Sequence, residues 1–330
     1  MTRKIATLIF FAVLAVCGGL VTTAAPSAKV LLRVPKARYL FGISPAPTGH
    51  TLLLYRSSEI PEGEVTSGTA VLVKLQGSPG ALPLEVPPAT EDLTPAVWRK
   101  EGQRAFVLTS AGIYSVNTAT GVSKLIVRGV LAGLAISSDG TRLAFWNLGS
   151  PGTQYTLSVF DVGAGRDVQT WKVPMQFDGD QYGHEIVFSG DGSAVFARTY
   201  DQEGRTPLER FDISGGQVHT IWPNCTGLAR SSEGIYFIGD IHDESTLFKL
   251  APSSLSPQKV VVPFRFDSLI GSGTHRWIIA INGRSRALAV LDSETDHLSP
   301  LPSWCETAGV LGSGQVVCSR GGDLVLAGGP

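Results

Sequence analysis

LAISSDGTRLAFWN, residues 134–147, sets two apolar stretches on either side of a polar turn closed by Asp139-Gly140, with Leu143 and Phe145 alternating after it. Successive side chains of a strand point to opposite faces, and glycine takes the positive φ that a tight turn needs, so this pattern predicts a β-hairpin. The shape returns as IVFSGDGSAVFART around Asp191-Gly192 and as LARSSEGIYFIG around Glu233-Gly234. Weaker copies stand at Gly49 (GISPAPTGHTLLLY), Gly102 (VWRKEGQRAFVL), Gly273 (LIGSGTHRWIIAI) and Gly314 (GVLGSGQVVCS).

The turn glycines of these hairpins recur at intervals of 38 to 53 residues, most of them close to the ~40–45 residues of a four-stranded propeller blade. The two longest intervals contain insertions, at residues 56–68 and around 177–183. A second hairpin follows the first in LSVFDVGAGRDVQTW from Leu157, ERFDISGGQVHTIW from Glu209, IYSVNTATGVSKLIV from Ile113 and LAVLDSETDHLSPL from Leu288. Two hairpins per ~40 residues make one four-stranded blade. The chain therefore predicts an all-β, seven-bladed β-propeller, with six or eight blades as alternative counts. A blade cannot bury both faces alone, and an open array would leave a bare sheet edge. After the hairpin at Gly314 only one further strand remains, near Asp323 to Ala327, so the last blade lacks its fourth. The segment Lys29 to Val34, KVLLRV, is predicted to supply it and close the ring. A two-sheet sandwich of this length needs a linker that the sequence does not show, and a parallel β-helix repeats at shorter periods.

ISSDGTRLAFWN followed by VFDVGAGRDV resembles the repeat of the TolB-like, WD-repeat-like propellers, whose consensus runs Ser-x-Asp-Gly-x-x-Leu-Ala-Phe before an Asp turn with Gly. The match is clear around Gly140 and Gly192, partial at Gly234, and reduced to a period elsewhere. Ser138 and Gly190 replace the usual proline before Asp-Gly, and no Trp-Asp dipeptide ends the blades. The resemblance implies a repeat architecture; such repeats carry many functions.

Met1-Thr-Arg-Lys4, an apolar run from Ile5 to Val16 and small residues through Thr22-Thr-Ala-Ala25 form the three parts of a secretory signal. Residues 1–24 are read as that signal and 25–330 as a propeller domain, exported to the periplasm or the exterior. Leu14-Ala-Val-Cys17 makes Cys17 a lipidation candidate, and an uncleaved N-terminal anchor is the other membrane reading. Basic and acidic residues number 27 and 28 and are scattered, so nucleic acid is excluded as a partner. In an oxidising compartment Cys305 and Cys318, flanking Gly312-Ser-Gly314, are disulfide candidates, the alternative being two buried thiols.

The links between blades and the loops between second and third strands gather on one face of a propeller, where function usually sits. The richest link holds Asp178, Asp180, His184 and Glu185, and Asp240, His242 and Asp243 fall in a second-to-third-strand loop that faces the same way. Such oxygen-rich sets suit Ca²⁺, and the imidazoles suit a transition metal or general base. The same residues are also ordinary turn formers. No Gly-x-Ser-x-Gly, His-Glu-x-x-His, Walker loop or Cys-x-x-Cys occurs. Three functions follow, in order: a non-catalytic module without cofactor that binds an envelope protein or peptide; a metal-assisted hydrolase or lactonase at the channel mouth; and a sensor of a small ligand in the channel.

Overall fold

The computed structural model describes residues 28–58, 67–89, 96–149, 155–173, 185–201, 203–241, 244–251, 255–263, 265–271 and 276–328. Their twenty-eight strands form seven sheets of four antiparallel strands, and no helix occurs among the described residues. Blade 1 spans residues 39–83, blade 2 96–128, blade 3 131–172, blade 4 186–222, blade 5 225–260, blade 6 268–300, and blade 7 308–328 together with 29–33. The first strands of neighbouring blades touch each other around the axis, including those of blades 1 and 7; between blades 6 and 7 the second strand of blade 6, Trp277–Asn282, meets the first strand of blade 7, Ala308–Val310. The chain is a closed seven-bladed propeller.

Strand alternation explains why the hairpins read as near-continuous apolar runs. In Arg142–Asn147 of blade 3, Leu143 and Phe145 point into the seam with blade 2, while Ala144 and Trp146 point into the seam with blade 4. Both sheet faces are covered, so both parities are apolar. Each of the seven seams holds one cluster of buried side chains. Trp146 and Trp171 belong to the seam between blades 3 and 4, and Trp222 packs on Phe237 and Phe248. These tryptophans are spent on blade packing.

The Ser-x-Asp-Gly turn has a specific chemistry. Ser137 Oγ donates to Asp139 Oδ1 at 2.5 Å and accepts the Arg142 amide at 3.0 Å, and Asp139 Oδ1 accepts the Thr141 amide at 3.0 Å. Blade 4 repeats it: Ser189 Oγ to Asp191 Oδ1 at 2.6 Å, the Ala194 amide to Ser189 Oγ at 2.9 Å, and the Ser193 amide to Asp191 Oδ1 at 3.0 Å. Gly140 and Gly192 take φ of 71° and 70°, a left-handed conformation that costs a residue with a Cβ about 1–2 kcal/mol. The two residues that stand where the resembled repeat has proline meet across a seam, where Ser138 Oγ donates to the Gly190 carbonyl at 2.8 Å.

The N-terminal strand Lys29–Arg33 lies on the outer side of Asp323–Gly328. Lys29 faces Leu326, Arg33 faces Asp323, and the Val34 amide donates to the Gly322 carbonyl at 2.9 Å. The first and last strands thus close the ring in one blade, as the sequence predicts. Cys305 and Cys318 are joined by a disulfide that ties the link before blade 7 to its second strand. Residues 1–24, read from the sequence as an export signal, and with them Cys17, lie outside the described residues.

Candidate functional site

In an antiparallel meander the inter-blade links and second-to-third-strand loops share one face, and the remaining turns share the other. On the link face of blade 4, Glu185 precedes the first strand Ile186–Phe188, and Arg198 ends the second strand Ala194–Arg198. Pairing of Ile186 with Ala197 brings the two side chains together. Arg198 Nη1 donates to Glu185 Oε2 at 2.8 Å, with the side chains only 5% and 6% exposed. Burial alone would pull the Arg198 pKa down, but the charge of Glu185 and the neighbouring Cys225 and Tyr200 outweigh it and hold the pKa above its usual value. Arg198 Nε finds no partner among the described residues. Beside the pair lies Cys225, wholly buried, its thiol pushed up to about 12 by burial and therefore unreactive.

Asp240 stands near the end of the second strand of blade 5, Ile235–Ile241, and accepts Asn224 Nδ2 at 2.8 Å and Ser245 Oγ at 3.3 Å. The other end of the Asn224 amide accepts Thr206 Oγ1 at 2.8 Å, which stitches blade 4 to blade 5. Glu185 and Asp240 thus reach this face, as acids already engaged by protein groups. Asp178, Asp180, His184, His242 and Asp243 lie outside the described residues. Among the described residues no group of three or more His, Cys, Asp or Glu converges in a way that could hold a metal ion.

Among the first strands of blades 2 to 6 lies a small space of about 30 Å³, lined by Val97, Leu134, Val187 and Leu228, with Glu185 and Arg230 contributing charge. That is room for one or two waters.

On the opposite face, the seam between blades 4 and 5 opens into a cleft of about 240 Å³. Phe196, Ile235 and Leu250 of the seam cluster line it, with Ser189, Asp191, Ser231 and Ser232 from the two turns and Arg210 and Arg230 from the strands. Arg210 Nη2 is held by Asp212 Oδ1 at 2.8 Å, while its buried Nε has no partner among the described residues. Asp191 is spent inside its own turn: the Ser189 hydroxyl and the Ser193 amide hold its carboxyl at about 2. The Arg230 guanidinium, half-buried, donates no hydrogen bond and makes no ion pair among the described residues. Burial pulls its pKa below the usual value, partly offset by Asp191. Sequence reading, directed at acids and imidazoles in the links, passed over this cleft.

No protein-family model and no curated protein matches the chain. Solved structures do. The chain is similar to an oligogalacturonate lyase in complex with manganese, at 12% identity over 89% of this chain and 90% of that one, with a TM-score of 0.63. It is similar to the β-propeller domain of the trilobed protease from Pyrococcus furiosus, described as having an open velcro topology, at 13% identity over 85% and 88%, TM-score 0.58. It is also similar to a chain of the mitotic checkpoint complex, at 11% identity over 99% and 98%, TM-score 0.57. At these identities the likeness is one of fold, and the fold they share with this chain is the β-propeller.

Proposed function

We propose that this chain is an exported, non-catalytic propeller that binds a protein or peptide of the bacterial cell envelope, and that it is related to the TolB-like propellers its clearest repeats resemble. The observation that carries the reading is the open cleft of about 240 Å³ between blades 4 and 5, where an apolar wall of Phe196, Ile235 and Leu250 stands beside the donors of Arg210 and Arg230. The export signal supplies the compartment, and the similarity to a chain of the mitotic checkpoint complex supports a fold suited to assemblies. Two measurements test it. Mass spectrometry of protein from the bacterial periplasm is expected to show a chain beginning at Ala25. Cross-linking of tagged protein in envelope extracts is expected to capture a defined partner, lost when Asp178 and His242 are changed together or when the opposite cleft is altered. A cytoplasmic, unprocessed chain, or a capture unaffected by changes on either face, contradicts the reading.

A further inference from the structure

Four residues before the turn glycine, blades 1, 2, 3, 4 and 7 carry Pro45, Trp98, Ile136, Phe188 and Val310; blade 5 carries Arg230. The position is structurally the same in each, because each of these residues pairs with the start of its blade's second strand, as Ile136 does with Leu143, Phe188 with Val195 and Arg230 with Ile235. Elsewhere it is a buried wedge in the seam, with Phe188 1% and Trp98 4% exposed. Alternation sends Arg230 to the same side as Leu228, towards blade 4. A seam wedge has been replaced by a cation, the seam opens there into the 240 Å³ cleft, and nothing among the described residues uses the guanidinium. A half-buried charge with unspent donors costs stability, which a well-formed pair with an incoming acceptor would offset.

We propose that Arg230 anchors a subsite for an acidic peptide segment, holding one side-chain carboxylate of that segment in the cleft between blades 4 and 5. This rests on the reading of the chain as a peptide-binding module and names the chemistry of its partner. The planar guanidinium presents paired donors that match a carboxylate's two oxygens. Asp191 is engaged by its turn and Asp212 by Arg210, so neither competes as a direct partner. The volume falls below the ~300 Å³ at which pockets begin to take drug-sized ligands, and suits one or two side chains. Phe196, Ile235 and Leu250 give the stem of a glutamate an apolar wall.

The test is an NMR titration of the purified protein, following the Arg230 Nε–H resonance, assigned by its loss in Arg230→Met. The probe is acetyl-Gly-Glu-Gly-amide, with its Gln counterpart and inorganic phosphate as controls. Expected are a saturable shift with the Glu peptide, binding at least tenfold weaker for the Gln peptide, and no binding to Arg230→Met, read in that variant on the backbone amides of Ser231 and Ser232, which line the cleft. Methionine restores the apolar wedge, so the variant is expected to melt no lower than the parent. Equal binding of the Gln peptide, displacement by phosphate at equal concentration, or a variant that melts several degrees lower would each overturn the assignment. Partner capture that persists in Arg230→Met sinks the subsite and leaves the module reading intact, whereas failure to capture any partner with the parent protein sinks the module reading itself.

Discussion

Glu185 and Arg198 show how one residue's role is set by its neighbours' register. Two charges with almost no exposure have lost their hydration, and what holds them is the 2.8 Å charge-assisted hydrogen bond between them. Removing one partner leaves the other buried and bare, a change that costs about 3–5 kcal/mol. Glu185→Ala is therefore expected to lower the unfolding free energy by about that much in urea denaturation. Pairing Glu185→Leu with Arg198→Met is expected to recover most of it; a loss below about 1 kcal/mol in the single variant would mean that Glu185 faces solvent and is free to bind. The sequence marks Glu185 as an acid in a link, and the structure agrees that it reaches the link face. Its partner was not legible, because nothing local joins residues thirteen apart: the ladder that pairs Ile186 with Ala197 does. Arg230 was hidden for the opposite reason. Its signal is an exception within the repeat, visible only once the hairpins are aligned on their turn glycines.

At the scale of the element, the hairpins of blades 3 and 4 were readable because their turns are chemically complete in four residues. Serine caps the aspartate, the aspartate caps the amide two residues on, and glycine turns the chain, so the sequence alone fixes the local geometry. Blade 5 shows what happens when a part is exchanged. Glu233 accepts its neighbour Ser232 Oγ at 3.3 Å, four residues separate Arg230 from its partner Ile235 where six separate Ile136 from Leu143, and Gly234 sits at φ 158° rather than near 70°. The intact turn in blade 4 has a pH signature. The Asp191 carboxyl is held at about 2, chiefly by the Ser189 hydroxyl and the Ser193 amide. A folded-state pKa below the unfolded value means that the turn's contribution is fully present above about pH 4 and is lost as pH falls towards 2. Carboxyl titration by NMR is expected to place Asp191 near 2 and, in Ser189→Ala, to move it up towards the ordinary range; an unchanged value in that variant would show that the hydroxyl is not what holds it.

The whole molecule is a ring whose seven seams each bury one cluster, so no blade is stable apart from its neighbours and closure matters more than any single sheet. That arrangement was legible as arithmetic: hairpin pairs at near-regular intervals, one strand missing at the end, and one spare at the beginning. The links and insertions were less so, since their residues answer to no repeat. Closure puts a large share of the ring's cohesion on a short segment. Val34 is 1% exposed, and Leu31 and Leu32 pack against the cluster between blades 7 and 1. At about 1.5–3 kcal/mol for a fully buried aliphatic side chain and less for a partly buried one, a chain starting at residue 35 forfeits about 3–5 kcal/mol. It also uncovers the edge of Asp323–Gly328, whose free amides and carbonyls are a template for pairing with a second copy. Such a chain is expected to melt several degrees lower and to run as dimers or larger species in size-exclusion chromatography. Adding a peptide of residues 28–34 in trans is expected to reverse both effects, since the empty place in blade 7 then has an occupant again. A truncated chain with unchanged melting and a monomeric profile would mean that the seam clusters hold the ring without the N-terminal strand, and that closure is a consequence of the fold rather than one of its supports.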